Sequence, residues 1–292
     1  MTSGLPSEEL FVSGHPACAG CGEALAVRIA MKALGKDTIV CLPTGCLELF
    51  STRFNSSAWK VPVINLSDNA PAVASGIEMA LKRLRKDSKV VVFAGDGITA
   101  DLELSSLSGM LERGHKITYI CVDNEAYMGT GAHKSGGTPF AAHTATSPSG
   151  KSSSGNRFYK KDLPSIVGAH NIPYIATASI AYPSDLYNKV LKASQHQPSY
   201  VQVHTPCPTG WGFDSSKTVD VAKLALETCL WVNFEVFHGE LKATPVRKRP
   251  VEDYLKLQGR FKHLFKGDEG KELIEHLQSI ADENARRYSL TD

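Results

Sequence analysis

Six short apolar runs separated by amphipathic stretches constrain this chain more than any other feature. Thr38–Leu42, Val61–Leu66, Lys89–Ala94, Ile117–Val122, Tyr174–Ala178 and Tyr200–His204 are mostly apolar and rich in β-branched or aromatic residues. Strands without polar alternation are buried on both faces, the property of a parallel sheet covered by helices. The stretches between them, Glu23–Leu34, Ala70–Arg85, Leu102–Arg113, Leu163–His170 and Pro183–Gln195, read as helices. The expected fold is therefore α/β, a doubly wound and mostly parallel sheet with ligands at the carboxyl ends of its strands.

A hydrophobic content of 42% over 292 residues is ample for a core and excludes global disorder. Net charge is only +2 and both signs are interleaved, so there is no nucleic-acid or membrane footprint. Met1–Phe11 lacks a basic segment followed by an apolar one, and no apolar run nears the roughly 20 residues of a membrane helix. The sequence thus predicts a cytoplasmic protein. Its principal domain is expected over residues 1–236. Residues 237–292 form a charged helical extension, read either as a solvated face or as an arm docking on a partner subunit. Gly129–Asn156, rich in Gly, Ser, Thr and Pro, is long for a plain connection, and such loops are usually functional or disordered.

Gly95-Asp96-Gly97 follows the Lys89–Ala94 strand at once, and the next helix opens near Asp101. Asn124 lies 27 residues past Gly97, at the end of the next strand. One strand–helix–strand unit returns Asp96 and Asn124 to the same sheet edge. Magnesium prefers oxygen ligands and is commonly held by one or two protein groups plus phosphate oxygens. The Asp96 carboxylate, the Asn124 amide oxygen and the Ala126 carbonyl would serve, while Gly95 and Gly97 let the backbone approach phosphates. Gly-Asp-Gly alone marks many plain turns; paired with Asn124 at this spacing it resembles the thiamine-diphosphate fingerprint.

Seven cysteines are too unevenly placed for a disulfide framework. Cys18 and Cys21 form a CxxC among small residues, while Cys46 and Cys207 each fall just past a strand, on the rim that carries Asp96 and Asn124. Four thiolates converging there suit a [4Fe–4S] cluster. Structural zinc also accepts four cysteines, although zinc ribbons usually show two close pairs rather than one pair and two distant singles. Cys41, Cys121 and Cys229 lie inside apolar elements, where an inert buried thiol is expected.

CAGCGE at 18–23, TGCLE at 44–48, AVASGIEMA at 72–80, GDG at 95–97, LSGMLERGH at 107–115, DNEAYM at 123–128, TASIAYP at 177–183 and PCPTGW at 206–211 occur in that order. Together they resemble the β subunit of pyruvate:ferredoxin oxidoreductase (pyruvate synthase), of the 2-oxoacid:ferredoxin oxidoreductase family. The resemblance implies a chain supplying the diphosphate half of a thiamine diphosphate site, with the pyrimidine half and its activating glutamate on an α subunit. Further γ- and δ-type subunits, ferredoxin, coenzyme A and a 2-oxoacid are the implied partners. It implies cofactor contacts at Glu23, Thr44, Gly45, Gly95, Asp96, Gly97, Asn124, Ala126 and Thr130. It also implies a proximal [4Fe–4S] cluster on Cys18, Cys21, Cys46 and Cys207, and Mg²⁺ on Asp96, Asn124 and Ala126. For Glu23 the plain alternative is an exposed carboxylate at a helix N-terminus.

The sequence departs from that family pattern at several points. Gly129 stands where an asparagine is expected, Ile98 follows GDG in place of a glycine, and Ser67-Asp68-Asn69-Ala70 replaces the usual FENA. Gly129 removes a polar contact and leaves room, so a 2-oxoacid other than pyruvate, such as oxalate or a branched-chain or aryl 2-oxoacid, is an alternative. A non-redox thiamine decarboxylase or carboligase subunit and a non-catalytic scaffold subunit are the readings from other classes.

Overall fold

The computed structural model describes residues 4–53 and 56–290, so the first three residues of the Met1–Phe11 reading lie outside it. Eight strands form one sheet: β1 (Thr38–Pro43), β2 (Val63–Leu66), β3 (Lys89–Gly95), β4 (Ile117–Asp123), β5 (Tyr174–Ser179), β6 (Ser199–His204), β7 (Phe234–Phe237) and β8 (Glu240–Ala243). Their order is β8-β7-β5-β6-β4-β3-β1-β2. From β5 to β2 every pairing is parallel, and β7 and β8 add an antiparallel edge.

Alternate residues of the central strands feed two different cores. Val91 and Phe93 of β3 face a core shared with helices α1 (Gly22–Leu34) and α6 (Pro183–Gln195), which enter it through Ala26, Ala30, Leu186 and Val190. Val90, Val92 and Ala94 face the opposite core, where α3 (Ala70–Leu84) and α4 (Leu104–Glu112) pack through Ala74, Leu81, Leu107 and Met110. Apolar side chains covered on both faces are what uninterrupted hydrophobic runs require, so the expected doubly wound α/β architecture is the one observed.

The helix expected from Leu102 begins differently. A π-helical turn over Ile98–Leu102 starts directly after Gly97, and α4 follows from Leu104. Between them the buried Glu103 carboxylate accepts the Ala70 backbone N–H at 2.6 Å, satisfying a donor in the first turn of α3. Among the described residues no helix is long and apolar enough to cross a membrane.

The division expected at residues 236/237 falls within β7, which pairs through Phe237 with both neighbours. Beyond it lie α9 (Val251–Leu255) and α10 (Gly267–Arg287). Their Val251, Leu255, Leu277 and Ala281 share a third core with Trp211, Val221, Leu226 and Trp231. Residues 237–292 thus hold the end of β7 and all of β8 before these helices, and the apolar face of the helices packs on this chain. Part of the Gly129–Asn156 segment joins the same core through Ala141 and Ala142.

Burial raises the Glu103 carboxyl from its ordinary 4.5 to about 7. A raised folded-state value means that this group's stabilisation is complete below pH about 4.5 and is lost as the pH rises through about 7. Chemical denaturation of the chain is therefore expected to show stability falling across that window. Glu103→Gln keeps the acceptor for Ala70 and should flatten the fall.

Candidate active site

Four neighbouring parallel strands deliver the candidate residues to one rim. In sheet order, β6 leads to Cys207, β4 to Asn124, β3 to Asp96 and β1, through Thr44 and Gly45, to Cys46. Gly95 pairs with Val122, so Asp96 and Asp123 leave the sheet side by side. Cys46 opens the short helix α2 (Cys46–Ser51). The CxxC enters from the sequence before α1, with Cys21 preceding its first turn.

Close backbone packing holds the cysteine segments together. A Cβ on Gly22 would lie 2.7 Å from the Pro206 carbonyl oxygen, so only glycine lets the start of α1 meet the segment leading to Cys207. Thr218 Oγ1 donates to the Gly20 carbonyl at 2.7 Å, and the Gly210 backbone N–H donates to Cys207 Sγ at 3.3 Å. Cys18, Cys21, Cys46 and Cys207 line one cavity of about 180 Å³ together with Glu23 and Asn124. Among the described residues no three His, Cys, Asp or Glu side chains are gathered for a single metal ion. Burial pushes the Cys21 thiol up to about 12 and Cys207 up to about 11, and raises Cys46 as well. Cys41, Cys121 and Cys229 are buried elsewhere in the core.

Glu23 is not the exposed helix-terminal carboxylate of the plain alternative. It is 4% exposed, and its Oε1 accepts from Asn124 Nδ2 at 2.7 Å. Among the described residues its Oε2 has no hydrogen-bond partner, and burial pushes its carboxyl up to about 8. This hydrogen bond connects the cysteine cavity to the Asp96–Asn124 rim.

Asp96 is fully buried. Ser135 Oγ donates to its Oδ2 at 2.5 Å, and a Cβ on Gly137 would collide with its carboxylate, so residues 135–138 of the long loop close over it. Burial, reinforced by the nearby Asp123, raises the Asp96 carboxyl well above the usual carboxylate range. Asp123 and Glu125 have cationic partners: Lys160 Nζ lies 2.7 Å from Asp123 and 3.0 Å from Glu125, and Arg260 lies 2.6 Å from Glu125. Burial alone would raise Glu125, but Lys160 and Arg260 bring it down to about 2. Three buried carboxylates thus face the buried Arg260 and the partly buried Lys160, and among the described residues Asp96 is the one whose hydrogen-bond partner is a hydroxyl.

The remaining candidates separate by position. Gly95 opens on free space, whereas the face of Gly97 is filled by the Tyr127 ring, whose hydroxyl donates to the Gly97 carbonyl at 2.9 Å. Ala126 is buried, and its carbonyl accepts from the Met128 N–H at 2.9 Å, leaving a second lone pair. Thr44 Oγ1 donates to the Leu66 carbonyl at 3.1 Å, and Thr130 Oγ1 donates to the Tyr127 carbonyl, also at 3.1 Å. A Cβ on Gly129 would sit 3.4 Å from Cys46 Sγ, which places that residue against the cysteine cavity. Sequence reasoning missed Ser135, Lys160, Trp211 and Arg260. The only signal for them was indirect: the polar run Asp123-Asn124-Glu125 at the end of a buried strand demands partners from elsewhere.

The C-terminal TPP binding domain of thiamine pyrophosphate enzymes matches residues 43–203, a span that holds Cys46, Asp96 and Asn124. Pyruvate synthase subunit PorB of Methanosarcina barkeri is 54% identical over 288 residues, covering 96% of this chain and 97% of that protein. The chain belongs to the PorB family of 2-oxoacid:ferredoxin oxidoreductase subunits. As a family member it is one subunit of a multi-subunit oxidoreductase. Ketoisovalerate oxidoreductase subunit VorB of Pyrococcus abyssi is 44% identical over 276 residues, covering 90% of this chain and 89% of that one. Relatives at 54% and 44% identity therefore bear the names of two different 2-oxoacid oxidoreductases. The solved 2-oxoglutarate:ferredoxin oxidoreductase of Magnetococcus marinus, with 2-oxoglutarate, coenzyme A and succinyl-CoA bound, shares the fold. Its TM-score is 0.59 at 24% identity, covering 76% of this chain and 75% of that one.

The thiol environments give a direct check. Alkylation of the metal-free chain should modify the exposed Cys18 first, then Cys21, Cys46 and Cys207. Cys41, Cys121 and Cys229 should react only on unfolding, as read by mass spectrometry of peptides.

Proposed function

We propose that this chain carries the diphosphate half of a thiamine diphosphate site and a [4Fe–4S] centre within one wall of a pyruvate synthase complex. The net reaction is pyruvate, coenzyme A and oxidised ferredoxin to acetyl-CoA, CO₂ and reduced ferredoxin, two electrons being transferred. The observation that carries the reading is the 2.7 Å bond between Glu23 and Asn124, because both residues also line the four-cysteine cavity.

The residues suit the groups they would hold. Asp96 is a buried carboxylate whose hydrogen-bond partner is a hydroxyl rather than a cation, with Lys160 acting on it only through space, and Mg²⁺ would supply positive charge beside it. Asn124 and the Ala126 carbonyl, leaving the neighbouring strand, would offer neutral oxygens. Cys18, Cys21, Cys46 and Cys207 line one cavity, and a close pair joined by two distant singles suits a [4Fe–4S] centre better than the two close pairs of a zinc ribbon. Buried thiols with raised pKa values become thiolates only against strong positive charge, and iron provides it.

When bound, thiamine diphosphate supplies the electron sink for loss of CO₂ from a 2-oxoacid. This chain's part is positional. Asp96 and Asn124 would fix the diphosphate end, Glu23 holds the Asn124 side chain beside the cysteine cavity, and residues 135–138 exclude water from Asp96. The four cysteines keep an electron acceptor beside Asn124. A partner α subunit supplies the pyrimidine half-site and its activating glutamate, γ- and δ-type subunits complete the path to ferredoxin, and the outer charged face of α10 is offered to a partner. Gly129, exposed beside Cys46 and Leu49, together with the VorB relative, keeps a branched-chain 2-oxoacid as the second reading. Acceptor reduction by the complex with a panel of 2-oxoacids decides between the two.

The complex, purified anaerobically, separates the two sites. Asp96→Ala should lose thiamine while keeping its iron, and Cys207→Ala should lose or convert the centre while keeping thiamine. Zinc in place of iron in the native complex, or normal thiamine in Asp96→Ala, would contradict the proposal.

A further inference from the structure

Glu125 sits between the two proposed magnesium-holding residues, Asn124 and Ala126, and its backbone is left-handed, with φ +68°. A non-glycine residue rarely adopts that conformation, and it persists where the surroundings over-determine it. Here they do. Asp123 Oδ1 accepts the Glu125 N–H at 3.0 Å, and Thr138 Oγ1 donates to its carbonyl at 2.8 Å. Lys160 and Arg260 grip its two carboxylate oxygens.

Arg260 contributes more than charge. It is 5% exposed, its Nε donates to Gln258 Oε1 at 2.8 Å, and its guanidinium lies 3.6 Å from the Trp211 ring centroid. Trp211 Nε1 in turn donates to the Asn124 carbonyl at 2.8 Å, and the Trp211 N–H donates to the Cys207 carbonyl at 2.9 Å. One planar group therefore bears on Glu125 directly and on Asn124 through Trp211, while touching the segment that carries Cys207. A lysine cannot both fork and stack in this way.

We infer that Arg260, 135 residues from Glu125 in sequence, is a positioning residue that holds the Asn124–Ala126 turn in its metal-holding geometry and ties it to the Cys207–Trp211 segment. The inference rests on the proposed magnesium–diphosphate site. Its consequence is that cofactor affinity depends on the C-terminal segment, which lies outside the matched thiamine domain.

The test uses the assembled complex, stripped of cofactor and titrated calorimetrically with thiamine diphosphate and Mg²⁺. Arg260→Gln and Glu125→Gln should each raise the dissociation constant tenfold or more, with Arg260→Lys intermediate. The double variant should be little worse than either single one, because both act through one contact. Excess cofactor should restore turnover in Arg260→Gln, which a merely damaged fold would not allow. If Arg260→Gln does not assemble, Glu125→Gln and Arg260→Lys carry the comparison. Unchanged affinity in the assembled variants, or lost turnover that excess cofactor does not restore, would overturn the role of Arg260. A wild-type complex that fails to bind thiamine diphosphate would overturn the site itself.

Discussion

Asp123, Asn124 and Glu125 are three consecutive polar residues buried at the end of a central strand, and the rest of the site is arranged around that cost. Each unpartnered buried charge or amide would be strongly destabilising, so each one recruits a distant segment. Asp123 takes Lys160 and Gln202. Asn124 takes Glu23 through its side chain and Trp211 through its carbonyl. Glu125 takes Lys160 and Arg260. The start of α1, the long loop, the Cys207 segment and the C-terminal extension are thereby pinned to one strand end. Asp96 beside them is left with a hydroxyl, which makes this rim electrostatically incomplete as well as ordered.

Much of this was legible in the residues, and the boundary of legibility has a physical cause. Five of the six parallel strands announced themselves because burial on both faces demands unbroken apolar runs, whereas β2 is an edge strand with Ile64 and Asn65 exposed. Asp96, Asn124, Cys46 and Cys207 were legible because each lies within three residues of a strand's carboxyl end, where a doubly wound sheet exposes its loops. Helix α2 was not, since six residues are too few for a period to register. Strand β8 was not either: Glu240–Ala243 is an exposed edge held by pairing with β7 rather than by its own apolar side chains. Lys160, Ser135 and Arg260 gave no local signal, because their roles come from contacts 35, 39 and 135 residues away in sequence.

The extension illustrates the same point. Its charge pattern reads equally as a solvated face or a docking arm, but its apolar residues close a core with Trp211 and Trp231. Helix α10 is therefore part of the support beneath Glu125 through Arg260's neighbourhood, and only its outer face is left for other subunits. The long Gly129–Asn156 segment is likewise neither a plain connection nor a separate module. It starts beside Cys46, covers Asp96 and ends in the C-terminal core, touching in turn every part of the site.

The central claim is that a thiamine diphosphate end and an iron–sulfur centre share this rim, joined through Glu23 and Asn124. Anomalous X-ray diffraction from crystals of the assembled complex, recorded on either side of the iron and zinc absorption edges, tests it most directly. An iron signal inside the cavity of Cys18, Cys21, Cys46 and Cys207, with diphosphate density against Asp96, is the predicted result. A zinc signal there, or iron confined to other subunits, would contradict it.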